Sequence, residues 1–366
     1  MSRAEKDPES GGGMLVGLRR CVAVAAAAVV AGALGVGGSV LSARTAHADV
    51  SLAQTTVVGI HNTYNPADFP YLARALDAGA SMVELDAWDD VFTREWKVSH
   101  DSLTSNKNNC VDASGPSDIY TGSANKDLGS CLDDIKYWLA AHPGKGPTYV
   151  KVELKAGFQN NYGMGPAGFD SYVNSHIGSV LYRPADLLGG RASLDEAAKA
   201  NAWPSRAALA GKIIMYVIPG TVELGNPTDT VHTDVEYATY LKNLHAAGKT
   251  ATATTFPAVL GAASGDPRTQ YTDTSIRPWF VVFDGDAATY VSSVDTAWYD
   301  TNHYLLTMTD AHNVPPALDQ YNPPVSDAQR RVAQLAGDHA SVVSCDWYGL
   351  PSVLSLVQNR GAASAS

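Results

Sequence analysis

Apolar runs of about six residues, bounded by turn-forming residues, recur along the chain and alternate with stretches of helical periodicity. The runs predict strands over 55–61, 81–86, 148–154, 212–217, 250–256, 279–284, 304–309 and 341–346. Most are rich in β-branched or aromatic residues and apolar at nearly every position, as strands covered on both faces should be. Helical patterns run from Asp68 to Ala78, Leu128 to Ala141, Phe169 to Leu181, Val235 to Ala247, Ser326 to Asp338 and Pro351 to Gln358. Ser326 and Asp327 open one of these, while Gly79 and Gly248 close others. Strand and helix in alternation imply a parallel sheet, and eight strands favour an α/β chain folded as a single (β/α)8 TIM-type barrel over an open doubly wound sheet. The Ala-Thr repeats of 250–256 suit a helix or loop as well as a strand.

The first 48 residues break this rhythm. Arg19 and Arg20 precede an apolar run from Cys21 to Val40, and Ala46-His47-Ala48 supplies a small-x-small site before Asp49. That is the layout of an export signal over 1–48, cleaved after Ala48, with 49–366 as the barrel. The run is also long enough to span a membrane, but the processing site favours cleavage and a secreted product. The arginine pair is an incomplete match to a twin-arginine signal, so that route stays open.

Composition changes the picture in one respect. With 37 acidic against 26 basic residues the chain carries a formal charge of -11, so a basic footprint for nucleic acid is lacking and no such partner is expected. A phosphate-handling role then needs local positive charge from a few residues or from a metal. Outside the cell, Cys110 and Cys131, which flank a polar stretch, are expected to pair as a disulfide. Cys345, in the apolar run Ser341-Val-Val-Ser-Cys-Asp, reads as a buried free thiol.

A barrel of this type builds its site at the carboxyl ends of the strands. Polar residues gather there: His61 and Asn62, Glu84 and Asp86, Glu153, Asp284, Asp310 and Asp346. Glu84 and Asp86 lie two apart on a strand and so share a face, where two like charges raise each other's pKa unless a cation intervenes. Alone, the pair reads as readily as surface or salt-bridged carboxylates; with Asn62 and Glu153 it gives an all-oxygen ligand set, which suits calcium or magnesium far better than zinc. Two histidines beside such an ion, His61 and His100, could remove a proton from an attacking hydroxyl and return one to a leaving oxygen. Phosphodiester cleavage fits that arrangement.

Gly59-Ile-His-Asn-Thr-Tyr, Val83-Glu-Leu-Asp-Ala-Trp, Val98-Ser-His100 and Val152-Glu-Leu-Lys resemble the motifs of the secreted bacterial calcium-dependent phosphoinositide-specific phospholipases C. Tyr182-Arg-Pro-Ala-Asp-Leu and the segment from Trp203 to Ile214 are similar to connecting segments of that branch. The specific motifs cover roughly 55 to 220, the remainder matching only in strand rhythm. The resemblance implies catalytic roles for His61 and His100 and calcium ligation by Asn62, Glu84, Asp86 and Glu153. It also implies attack of the inositol 2-hydroxyl on the lipid phosphate, giving diacylglycerol and a cyclic inositol phosphate. His61 then stabilises the phosphorane-like transition state or shares the base role with Glu84, and His100 protonates the glycerol oxygen. The partner is a phospholipid met transiently at a membrane surface, by a monomer.

Eukaryotic members carry lysines for the 4- and 5-phosphates where this chain reads Met215-Tyr-Val-Ile. Unphosphorylated phosphatidylinositol is therefore the expected substrate. Lys151 and Lys155 share Glu153's face by parity, each either touching phosphate or pairing with a barrel carboxylate. Phe158, Tyr162, Met164, Trp347 and Tyr348 stand either at the bilayer or packed over the barrel mouth. Three alternatives remain: a glycerophosphodiester phosphodiesterase, disfavoured by Asn62 where those enzymes usually have Arg; a sphingomyelinase D-like enzyme; and a catalytically silent headgroup-binding barrel.

Overall fold

The computed structural model describes residues 49–362. The segment read as an export signal, 1–48, lies outside the described residues. Ten strands make one sheet: β1 Thr55–Ile60, β2 Met82–Asp90, β3 Glu95–Val98, β4 Thr148–Leu154, β5 Ile213–Pro219, β6 Phe256–Leu260, β7 Val282–Asp286, β8 Leu305–Thr309, β9 Val342–Cys345 and β10 Val357–Asn359. Their order is β10-β1-β9-β8-β7-β6-β5-β4-β2-β3, and a further β1–β2 pairing closes the ring. Eight of the ten run parallel around that ring, so the expected (β/α)8 barrel is formed.

The ring closes between β1 and β2, where Gly59↔Met82 and Ile60↔Val83 pair. A side chain at Gly59 would meet Met82 carbons at 2.6 and 2.7 Å, so the strands approach this closely only because residue 59 has none. Below that point the edge of β1 is taken by antiparallel β10, with Thr55 opposite Asn359. The buried Arg360 follows and donates to the carbonyls of Ala53 at 2.9 Å and Tyr304 at 2.7 Å, closing the amino-terminal end of the barrel.

Period-two alternation sorts each strand's side chains. On β2, Val83, Leu85 and Ala87 pack outward in one apolar cluster with Val150 and Val152 of β4 and helix residues such as Leu132 and Phe169. Met82, Tyr149, Ile214 and Tyr216 belong to the other cluster, which also holds the far half of the barrel. Glu84, Asp86, Lys151 and Glu153, of opposite parity to the outward set, enter the barrel interior, and pairing sets Glu84 beside Lys151 and Asp86 beside Glu153.

Several boundaries differ from those the pattern predicts. The 250–256 run is a short turn at Thr250–Thr252 followed by β6 from Phe256. Thr254 and Thr255 are not laddered because their N–H groups donate to Asp170 and to the Tyr237 hydroxyl, both at 3.1 Å. The 279–284 run starts late, at Val282, because Pro278 lies in the turn Arg277–Trp279. The helix placed at Pro351 to Gln358 ends at Leu354, and the chain turns extended to cover the open edge of β1. The helix expected from Asp68 begins only at Leu72, after Pro70. The hairpin strand β3 and short helices such as Leu194–Lys199 and Ala287–Ser293 are additions that the pattern did not predict.

Candidate active site and metal centre

Glu84, Asp86 and Glu153 converge at the carboxyl ends of β2 and β4, each offering an oxygen within 4.8 Å of the others. Glu84 and Asp86 are buried, and Glu84 Oε2 and Asp86 Oδ1 have no hydrogen-bond partner. Buried carboxylate oxygens left unpaired are costly unless a cation meets them. The donor set is all oxygen, as a hard divalent ion requires, so these residues fit calcium. The cations present act from behind or beside the cluster. Lys151 Nζ is buried, 3.2 Å from Glu84 Oε1 and 3.1 Å from Asp284 Oδ2. Lys155 Nζ lies 3.0 Å from Asp86 Oδ2 and 2.8 Å from Glu153 Oε1.

These neighbours set the protonation of the cluster. Burial, reinforced by Glu153 and Glu84, lifts Asp86 to about 6 against the pull of Lys155. Burial acts the same way on Glu153, but the Lys155 ammonium and the Thr221 N–H, donating at 2.9 Å, outweigh it and hold that carboxyl below its usual range. Tyr216 donates to Asp284 Oδ2 at 3.1 Å, which completes a buried polar layer of Glu84, Lys151, Asp284 and Tyr216 beneath the site.

A cavity of about 570 Å³ opens above the cluster, lined by His61, Asn62, Asp86, Trp88, His100, Asp101, Glu153, Lys155, Thr221 and Val222. Both histidines therefore face the same space. Lys155 lines it too, whereas Lys151 does not and is a counter-ion to Glu84 and Asp284 within the barrel.

His61 follows β1, whose neighbour β9 pairs Ile60 with Cys345, and this register sets Asp346 beside the ring. His61 Nδ1 lies 3.1 Å from Asp346 Oδ1, and Gln320 Nε2 donates to Asp346 Oδ2 at 2.7 Å. A carboxylate only accepts, so the proton in that contact sits on Nδ1. Burial works against the imidazolium, but Glu84 and the bonded Asp346 overcome it and raise His61 to about 9. Asp346 lies among the strand-end acids visible in the sequence, but its role as the partner of His61 emerges only from the β1–β9 register. Asn62 turns the chain in a left-handed conformation, φ +50°, which Asn adopts more readily than most residues. Its Oδ1 accepts from the buried Tyr64 hydroxyl at 2.8 Å and keeps a second lone pair.

His100 is the most exposed member of the set, its side chain about 62% accessible. The backbone before it is fixed: Ser99 N–H donates to Asp86 O at 3.1 Å, and Trp88 Nε1 donates to Ser99 O at 2.8 Å. The loop beyond carries the Cys110–Cys131 disulfide, formed as expected. Cys345 is buried and free.

Neither protein-family models nor curated proteins give a match to this sequence. Solved structures do. The calcium-dependent phosphatidylinositol-specific phospholipase C from Streptomyces antibioticus is 52% identical, over 85% of this chain and 99% of that one, with a TM-score of 0.83. The chain belongs to the calcium-dependent phosphatidylinositol-specific phospholipase C family. Calcium-dependent phosphoinositol-specific phospholipases C from a Pseudomonas species share the fold at 19% and 18% identity, with TM-scores of 0.62 and 0.61, over 87% of this chain and 96% of theirs. The first of these includes a myo-inositol complex. Membership of the phospholipase C family agrees with the cluster and cavity described above.

Proposed function

We propose that the protein is a calcium-dependent phospholipase C that cleaves phosphatidylinositol to diacylglycerol and a cyclic inositol phosphate. The observation that carries this reading is the meeting of two histidines at one cavity with a carboxylate cluster, two of whose buried oxygens have no partner, in a chain 52% identical to such an enzyme. Glu84, Asp86, Glu153 and the Asn62 amide oxygen are the groups that would hold the ion. Bound there, calcium supplies positive charge that makes a coordinated hydroxyl more acidic and offsets charge on the phosphate. The inositol 2-oxygen bonds to phosphorus as the phosphorus–glycerol oxygen bond breaks. We assign the 2-hydroxyl proton to Glu84, while His61, held as a cation and oriented by Asp346, stabilises the charge that builds on the phosphorane-like transition state. His100 gives a proton to the departing glycerol oxygen. Lys155 is the ammonium in reach of a phosphate oxygen in the cavity.

Unphosphorylated headgroup is the preferred form on this reading. Tyr216, in the stretch where eukaryotic relatives carry lysines, is buried and bonded to Asp284, and that stretch of β5 offers no cation. Initial rates on vesicles of phosphatidylinositol, its 4,5-bisphosphate and phosphatidylcholine, with glycerophosphoinositol as a soluble diester, test this. The expected order places phosphatidylinositol first and the choline lipid at background. Turnover confined to the choline lipid or to the soluble diester would move the chain to a sister phosphodiesterase.

A membrane-facing mouth is the companion inference. Phe92, Tyr162, Val222, Leu224, Val231, Tyr321 and Val325 are the exposed large apolar residues among those described, and all lie on segments that follow the carboxyl ends of barrel strands. Of the rim suggested by sequence, Phe158, Met164 and Trp347 are buried as packing over the mouth, whereas Tyr162 is exposed. Among the described residues no helix is long and apolar enough to cross a membrane, so we infer contact through this rim. The disulfide supports an extracellular address.

A further inference from the structure

We propose that Asn109, in the loop between β3 and the helix Leu128–Ala141, is a positioning residue that fixes the turn carrying His61 and Asn62 against the loop carrying His100. This rests on the site assignment above. Asn109 is buried, 2% exposed, and its side-chain amide donates to two carbonyls of the loop after β1, Thr63 O at 2.9 Å and Phe69 O at 3.0 Å. Two carbonyl oxygens at these distances accept only the NH2 end, so the orientation of the amide is settled. Its backbone carbonyl accepts from the N–H of Leu72, the first residue of the next helix. One residue thus ties both ends of the segment 63–72 to its own loop.

Thr63 carries the constraint to the chemistry. It is buried, its hydroxyl donates to Ile60 O at 2.8 Å, and the same oxygen accepts from Glu84 N–H at 3.1 Å. Between these bonds stands Asn62 in its left-handed conformation, a state that costs about 1 kcal/mol or more and persists where neighbours over-determine it. Asn109 is one of those neighbours. Its own position is secured at the next residue, where Cys110 is bonded to Cys131 and Cys110 N–H donates to Asn108 Oδ1 at 3.1 Å. Upstream, Lys126 Nζ donates to Leu103 O at 2.9 Å and Ser105 O at 3.2 Å, holding the stretch between His100 and Asn109. The loop is thus a strut between two elements that must meet across one substrate.

A buried polar residue can matter only for folding, and the test separates that role from positioning. N109A is compared with T254A, which removes a buried hydroxyl bonded to Asp170 on the barrel's flank, away from the cavity. Both are assayed on phosphatidylinositol vesicles at temperatures where each is fully folded. The expected result is a kcat at least tenfold below wild type for N109A with KM within twofold, and a kcat near wild type for T254A. Calcium affinity by titration calorimetry reads the same strut through Asn62 without turnover, and is expected to weaken at least threefold in N109A alone. A lack of wild-type turnover would remove the substrate assignment and leave the calcium readout standing. Should N109A fail to fold, N109S, which leaves room for a bridging water, is read the same way. A kcat and calcium affinity within twofold of T254A would overturn the proposal.

Discussion

Asp346 accepts from both His61 and Gln320, and its contribution to the site is separable from its burial. D346N keeps the shape but can no longer hold the Nδ1 proton by charge. We expect kcat to fall about 100-fold with the thermal midpoint little changed; steady-state rates at saturating calcium check it. Asp134 illustrates a different use of a buried acid. Its Oδ2 accepts from Val111 N–H at 2.9 Å, its Oδ1 has no partner, and burial raises it to about 8 in spite of the Val111 bond. In the unfolded chain the group titrates near ~4. The folded state therefore keeps a proton that the unfolded state releases between these values, and stability from this group is lost as pH rises through that window. D134N, which stays neutral, should gain thermal midpoint relative to wild type from pH 5 to pH 8. An offset that does not change with pH, measured by scanning calorimetry, would contradict this assignment.

The elements most legible in the sequence are those whose own pattern determines them. β4 and β5 are apolar on the outward parity and long enough to leave no ambiguity, and both lie within a residue or two of the predicted bounds. Glu84, Asp86 and Glu153 were readable as a cluster for the same reason, since strand parity and barrel closure bring them to one place. What escaped depends on partners distant in sequence. β10 is extended because β1 has a free edge, and Thr254 leaves the ladder because Asp170 and Tyr237 capture it. Asn109 lies in a loop with no periodicity to mark it. The disulfide, expected from two cysteines and an export signal, ties that loop to the helix Leu128–Ala141. Its loss in a C110S/C131S variant should lower stability by about 3 kcal/mol, read as a reduced denaturation midpoint. An unchanged midpoint would show that the other bonds of the loop suffice.

At the scale of the whole molecule, the barrel concentrates its acidic cluster, His61 and His100, and its large exposed apolar side chains among the described residues at one end. Phe92, at the tip of the β2–β3 turn and 94% exposed, is the most prominent of the rim residues. F92S is expected to reduce binding to phosphatidylinositol vesicles several-fold in a sedimentation assay while leaving cleavage of a monomeric short-chain lipid intact. Equal vesicle binding by variant and wild type would place the membrane contact elsewhere. The measurement that bears most directly on the central claim is phosphorus NMR of phosphatidylinositol vesicles incubated with the protein of residues 49–366, with calcium and then with excess chelator. The expected result is a cyclic inositol phosphate resonance that grows with calcium and stops with chelator. Cleavage that continues in chelator, or no cyclic product with calcium present, would contradict the account.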